Sequence, residues 1–143
     1  MNVSHTGGTD TDSFLFDTGA EVSVLSSTTG ATVGIFTTGE DPTPPDFYIE
    51  VVGVGGATEE VPGYYVNSLS LTSTSGQIKY DRAPVIVLDV PDPRNPNQTL
   101  PGVLGTNLLT SRDLVINVGQ GNSFLYVSSQ WAWKGTAGGN WSD

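Results

Sequence analysis

Asp17 follows directly on the apolar run Phe14-Leu15-Phe16 and opens Thr18-Gly19-Ala20-Glu21, after which Val22-Ser23-Val24-Leu25 alternates like a strand. A carboxylate at the end of an apolar run is unusual, because burial without a partner is costly. Asp-Thr-Gly alone is a common turn tripeptide. Apolar strands tight on both sides change its meaning: they place Asp17 at the tip of a loop rising from a packed floor, where a carboxylate can take or give a proton in a reaction. The other acidic residues lie in Pro-rich or Gly-rich loops without apolar flanks, and Asp113 follows a helical segment in a different setting. His5 is the single histidine and there is no cysteine. A histidine-based triad, a histidine-rich metal site, a thiolate zinc site and a disulfide framework are therefore all excluded.

A second motif, Leu100-Pro101-Gly102-Val103-Leu104-Gly105-Thr106-Asn107-Leu108-Leu109, is an apolar pair ending in Gly and leading into a short amphipathic segment. Its plain reading is a strand that ends at Gly105 and caps a helix. Between the two motifs lies Val52-Gly53-Val54-Gly55-Gly56-Ala57. A glycine-rich turn of this kind can flex and can approach another backbone closely, as the tip of a lid must.

The elements that have to position these motifs are short. The chain of 143 residues fits one domain, and its 18 Gly and nine Pro favour many strands joined by turns over long helices. Residues 1–12 read as a flexible, polar lead-in, Ser26 to Gly30 as a turn, and Thr32 to Thr38 as a short extended piece. Phe47 to Val54 and the segments from Ala57 to Thr72 predict a hairpin with the Gly-rich tip. Gln77 to Tyr80 and Pro84 to Val90 predict two further strands, the second buried. Asp89 to Thr99 reads as a surface loop and Thr106 to Arg112 as the one short helix. Leu114 to Val118 and Phe124 to Val127 are closing strands. The fold class is all-β.

Fifteen acidic and five basic residues give a net charge of −10. That surface repels phosphate backbones and anionic lipid, so neither nucleic acid nor membrane is an expected partner. No apolar run approaches the ~20 residues that span a bilayer. The opening residues lack the basic and apolar regions of a signal peptide, and the chain reads as cut from a longer protein at both ends.

Together the motifs resemble the retropepsin-like aspartic peptidases, the family of the retroviral proteases. In that family an Asp-Thr-Gly-Ala loop is threaded by a later apolar-apolar-Gly segment that leads into a helix. Gly105-Thr106-Asn107-Leu108-Leu109-Thr110 is similar to the retroviral stretch, and the Gly-rich turn lies between the motifs in the family's order. The interval from Asp17 to Gly105 is longer than in the compact viral enzymes, and the Pro-rich loops at 40–46 and 89–99 account for the excess. The resemblance covers residues 13–128 and implies a closed-barrel lobe with a flap hairpin and one short helix.

It also implies an aspartic endopeptidase acting on peptide or protein substrates without metal or cofactor. Asp17 is the implied catalytic residue, and its partner Asp has to come from an identical chain in a homodimer or from a second, pepsin-like lobe of the same protein. Thr18 would lock the two loops together across the interface. Gly19 would leave room for the substrate backbone, and Ala20 and Glu21 would line the cleft. Gly53, Val54, Gly55, Gly56 and Ala57 would form the flap, while Val103, Leu104 and Gly105 would support the catalytic loop. The tip lacks the tyrosine of pepsin-like flaps, since Tyr64 and Tyr65 fall on the returning arm. The competing reading is a catalytically silent peptidase-fold module for peptide binding or assembly, although a scaffold alone does not require Asp17.

Two lesser readings concern surfaces. Asp89, Asp92, Asn95 and Asn97 cluster oxygen ligands that suit Ca²⁺, but their spacing follows no known loop pattern. Asn2-Val3-Ser4, Asn97-Gln98-Thr99 and Asn140-Trp141-Ser142 fit glycosylation acceptors. The tail, residues 129–143, with Trp131-Ala132-Trp133 and Gly139-Asn140-Trp141, resembles the start of the Gly/Asn/Trp-rich β repeats of large exported bacterial proteins. An extracellular or cell-surface location follows from that resemblance.

Overall fold

The computed structural model describes residues 1–52, 56, 58–74, 76–110, 112–119 and 124–127. The tail from residue 128 onward, and the calls made on it, lie outside the described residues. The chain divides into two compact units, Met1–Leu108 and Leu109–Asp143. The expected lobe, 13–128, straddles this division.

In the first unit the strands are β1 (Asn2–His5), β2 (Gly8–Thr11), β3 (Leu15–Phe16), β4 (Val24–Leu25), β5 (Phe47–Val52), β6 (Thr58–Ser73), β7 (Gly76–Val87), β8 (Pro91–Asp92), β9 (Asn95–Thr99) and β10 (Gly102–Leu104). One α-helix, α1 (Ser27–Thr32), and a 3-10 turn at Thr106–Leu108 complete it. The all-β reading is correct. The main sheet follows the order β2-β1-β6-β7-β4-β10-β3, with β5 also on β6. It is a strongly curled half-barrel and not a fully closed ring, because its ends, β2 and β3, do not pair with each other.

The long β6–β7 hairpin is the spine. It is paired from Gly63↔Ile86 to Ser73↔Gly76, so the separate strands expected at 69–72, 77–80 and 84–90 are parts of two continuous ones. One core packs Val3, Leu25, Val66, Leu69, Val85 and Leu104 together; a second gathers Val24, Val61, Ile86, Leu100 and Val103. Val24 and Leu25, Val85 and Ile86, and Val103 and Leu104 are neighbours that point to opposite faces of their strands, so the two cores lie on the two faces of the sheet, and burial on both is the main force holding it in shape.

Several local readings are corrected; the surface loop expected at 89–99 contains a two-stranded antiparallel pair, β8–β9, registered Pro91↔Thr99 and Asp92↔Asn95. The flexible lead-in at 1–12 is instead a β-hairpin, β1–β2, and β1 pairs with β6 through Val3↔Leu69. Val3 is its fully buried anchor, and its polar neighbours Asn2 and Ser4 are half-buried. The extended piece expected at 32–38 is the last residue of α1 followed by turn and irregular chain, and the turn at 26–30 gives way to α1. Its Thr and Gly residues are poor helix formers, so tertiary contacts make the helix. Ser26 caps it by accepting from the Thr29 N–H at 3.1 Å, and the Asp89 carboxylate accepts from the N–H and hydroxyl of Ser27 at 2.8 and 2.9 Å. Gly34, at φ +90, then turns the chain against Gly7, whose N–H donates to Val33. Finally, the helix expected at 106–112 is only the 3-10 turn.

In the second unit β11 (Leu114–Asn117) and β12 (Phe124–Val127) form an antiparallel pair, registered Leu114↔Val127 to Asn117↔Phe124. Both strands were expected.

Candidate active site

Residues 17–23 form the loop between β3 and β4, and β10 lies between those two strands. It pairs in parallel with β3 through Val103↔Leu15 and Leu104↔Phe16, and antiparallel with β4 through Gly102↔Leu25 and Val103↔Val24. The later segment therefore passes through the loop, and the Asp17 N–H donates to the Leu104 carbonyl at 3.2 Å. Val103, Leu104 and Gly105 are buried beneath it. Packing requires Gly at position 105: a Cβ there would stand 2.5 Å from the carbonyl carbon and oxygen of Val22.

At the tip, Asp17 Oδ1 accepts from the Gly19 N–H at 2.8 Å, and the Ala20 N–H donates to the Asp17 carbonyl at 3.3 Å. This tight turn fixes one carboxylate oxygen. Asp17, Thr18 and Gly19 are all exposed, as is Glu21, while Ala20 is half-buried. The Ala20 carbonyl accepts from both the N–H and the hydroxyl of Thr106, at 2.8 and 3.1 Å. Loop and 3-10 turn are thus tied directly.

Sequence reasoning passed over two residues that hold the site from below. The buried hydroxyl of Ser23 accepts from the Gly105 N–H at 3.0 Å. Asn107 Oδ1 accepts from the Ser23 N–H and hydroxyl, and its Nδ2 donates to the Pro84 carbonyl at 3.1 Å. The available signal was a Ser inside an apolar strand and an Asn inside an apolar segment, since each needs a partner when buried.

Of the expected flap, β5 and β6 form the two arms, paired from Phe47↔Gly63 to Val52↔Thr58. Gly56 lies between them at φ +81, exposed and with nothing within 4 Å of a would-be Cβ. Gly53, Val54, Gly55 and Ala57 lie outside the described residues. In the loop read for Ca²⁺, Asp89 is engaged by Ser27, and Asp92 by the backbone and side chain of Arg94. Those contacts, the backbone hydrogen bond foremost, pull the Asp92 carboxyl below its ordinary range. Among the described residues no group of three His, Asp or Glu side chains is placed to hold a metal.

A known protein family, described as Aspartyl protease, matches residues 2–108, from the β1–β2 hairpin through the 3-10 turn. No curated protein and no solved structure matches the chain. The match spans most of the sequence and contains both the Asp17 loop and the strand that threads it. The chain belongs to the aspartyl protease family, in its retropepsin-like form.

Proposed function

We propose that this chain is one half of an aspartic endopeptidase, with Asp17 as its catalytic carboxylate and the second Asp supplied by an identical chain. The observation that carries the reading is the exposed Asp17 tip on a buried base: β10 beneath it, one carboxylate oxygen fixed by Gly19, the other without a hydrogen-bond partner among the described residues. An exposed tip of this kind can meet its copy on a two-fold axis.

Two carboxylates held about 3 Å apart share one proton, because both cannot be charged there. The ionised one takes a proton from a water. That water attacks the scissile carbonyl, which the protonated carboxyl polarises, and the leaving nitrogen then collects a proton as the tetrahedral species collapses. Titration belongs to the pair. In this reading the Thr18 hydroxyl ties the two loops together, Gly19 leaves room for the peptide backbone, Ala20 and Glu21 border the cleft, and the β5–β6 hairpin covers the substrate. An exported setting is part of the proposal and rests on the Trp-rich tail alone.

The test mixes wild type with Asp17→Asn. A homodimer with one shared site loses activity on a peptide library to about one quarter at equal mixing, and sedimentation reports a dimer. Activity that falls only in proportion to dilution would argue for a site completed by a different lobe. A verified dimer that cleaves nothing would favour the silent peptide-binding module.

A further inference from the structure

A cavity of about 570 Å³ opens among residues that take no part in the Asp17 loop; His5, Thr43, Asp46, Tyr65, Asn67 and Arg82 are among those that line it. It sits where the sheet is interrupted. On the edge of β6 away from β7, β5 ends at Gly63 and β1 begins at Ser68, so the backbone of Tyr64–Asn67 has no strand beside it. On the other edge, the β6–β7 register runs unchanged from Val66↔Ala83 to Ser68↔Asp81, but the pair it would place between them, Asn67 and Arg82, is missing from the ladder. Arg82 is at φ +52, a left-handed conformation in which it alone among the described non-glycine residues is found. A non-glycine side chain held there is strained, and such strain concentrates at binding sites.

The strained turn holds the guanidinium of Arg82 over the Tyr65 ring, 4.7 Å from its centre. Among the described residues Arg82 makes no ion pair, although two carboxylates line the same cavity. Both are committed elsewhere: Asp46 Oδ2 accepts from the Tyr65 N–H at 2.8 Å, and Asp81 pairs with Lys79 at 2.8 Å. A cation on an aromatic face, with its donor fork unspent beside a stretch of strand that has no neighbouring strand on its outer edge and only the Tyr65 N–H seen to be bonded there among the described residues, is equipped for a planar anion on an extended chain.

We propose that this cavity binds the free C-terminal carboxylate of a short peptide, with Arg82 as its anchor and the open edge at Tyr64–Asn67 receiving the backbone. The two nearby acids oppose any anion, a doubly charged group such as phosphate more strongly than a single carboxylate, so the one guanidinium favours the singly charged group. The site is separate from the Asp17 loop and stands whether or not the dyad turns over.

The experiment uses the full chain carrying Asp17→Asn, so that no probe is cleaved. Acetyl-Ala-Ala with a free carboxylate is titrated while the ring signal of His5, the single histidine, is followed by NMR. Its C-terminal amide and inorganic phosphate form the other arms. The acid should shift the His5 signal saturably, the amide should bind at least about tenfold more weakly, and phosphate should not displace the acid. Arg82→Gln should weaken the acid about tenfold or more. Arg82→Gly, which relieves the strained backbone, should lose binding while keeping thermal stability. Equal binding of acid and amide, displacement by phosphate, absence of any saturable shift, or wild-type affinity in either Arg82 variant would overturn the proposal.

Discussion

Asn107 Oδ1 accepts two hydrogen bonds from Ser23, one from the main-chain N–H at 2.9 Å and one from the hydroxyl at 2.8 Å, across 84 positions of sequence. The same amide reaches the Pro84 carbonyl on β7, and Ser23 passes the contact on to the Gly105 N–H. Four segments meet through two side chains, Asn107 and Ser23: the end of the Asp17 loop, β7, the exit of β10 and the 3-10 turn. Each polar side-chain atom of Ser23 and Asn107 has at least one hydrogen-bond partner, which is the condition under which a buried polar network stiffens a site.

Asn107→Ala is expected to cost roughly 3 kcal/mol in urea unfolding, because it strands the N–H and hydroxyl of Ser23 and the carbonyl of Pro84 at once. Ser23→Ala removes less, about 1–2 kcal/mol. The double variant should be milder than the sum of the two, since the partners that each single change leaves unpaired are then partly removed. Additive losses would show that the network is not a unit.

Gly105→Ala tests the packing under the loop. The new methyl would have to displace the Val22 carbonyl group, which is backbone and cannot rotate aside. The expected loss is roughly 2–3 kcal/mol, together with a fall in peptidase activity of about a hundredfold if the loop moves by an ångström. A variant with wild-type melting temperature and activity would mean that the loop yields freely.

The catalytic-type loop was legible because its pattern is local: an apolar run, an acid, a turn and another apolar run. The threading strand was legible through a resemblance, since nothing in Val103-Leu104 by itself says which loop it passes. Helix α1 was not legible. Thr28, Thr29, Gly30 and Thr32 argue against a helix, and the Asp89 contacts that help secure its start come from 62 positions away. The β1–β2 hairpin hid for a similar reason, because only Val3 shows the inward pattern and its neighbours are polar. Ser23 and Asn107 carried a signal, a polar side chain where apolar residues were due, but their pairing is a property of the fold.

Tyr64 offers a pH test. Its ring is almost fully buried, and its hydroxyl donates to the Thr43 carbonyl at 3.3 Å. Burial, then the charges of Tyr48 and Asp46, push its phenol above the ordinary value. A raised folded value means that the native state holds this proton more tightly. The resulting stability is fully present below about pH 10, the unfolded value, and is lost as pH climbs through the folded one. Tyr64→Phe should cost about 1 kcal/mol near neutrality and should flatten the alkaline decline measured by urea unfolding. An equally steep decline in the variant would assign that decline to other groups.

Asp17→Asn separates folding from chemistry. The side chain is exposed and accepts one hydrogen bond, from Gly19, which an asparagine oxygen can also accept. The monomer's stability should therefore change by less than about 0.5 kcal/mol, while peptide cleavage falls by about 10³-fold or more. Association should report the charge directly. Two wild-type loops bring like carboxylates together, so the dimer should be looser at alkaline pH, where both carry charge, than in acid, where they share a proton. The Asn variant carries no charge there and should keep its dimer affinity across the same range. Sedimentation that found the same pH dependence in both proteins would place Asp17 away from the symmetry axis and remove the physical basis for a shared site.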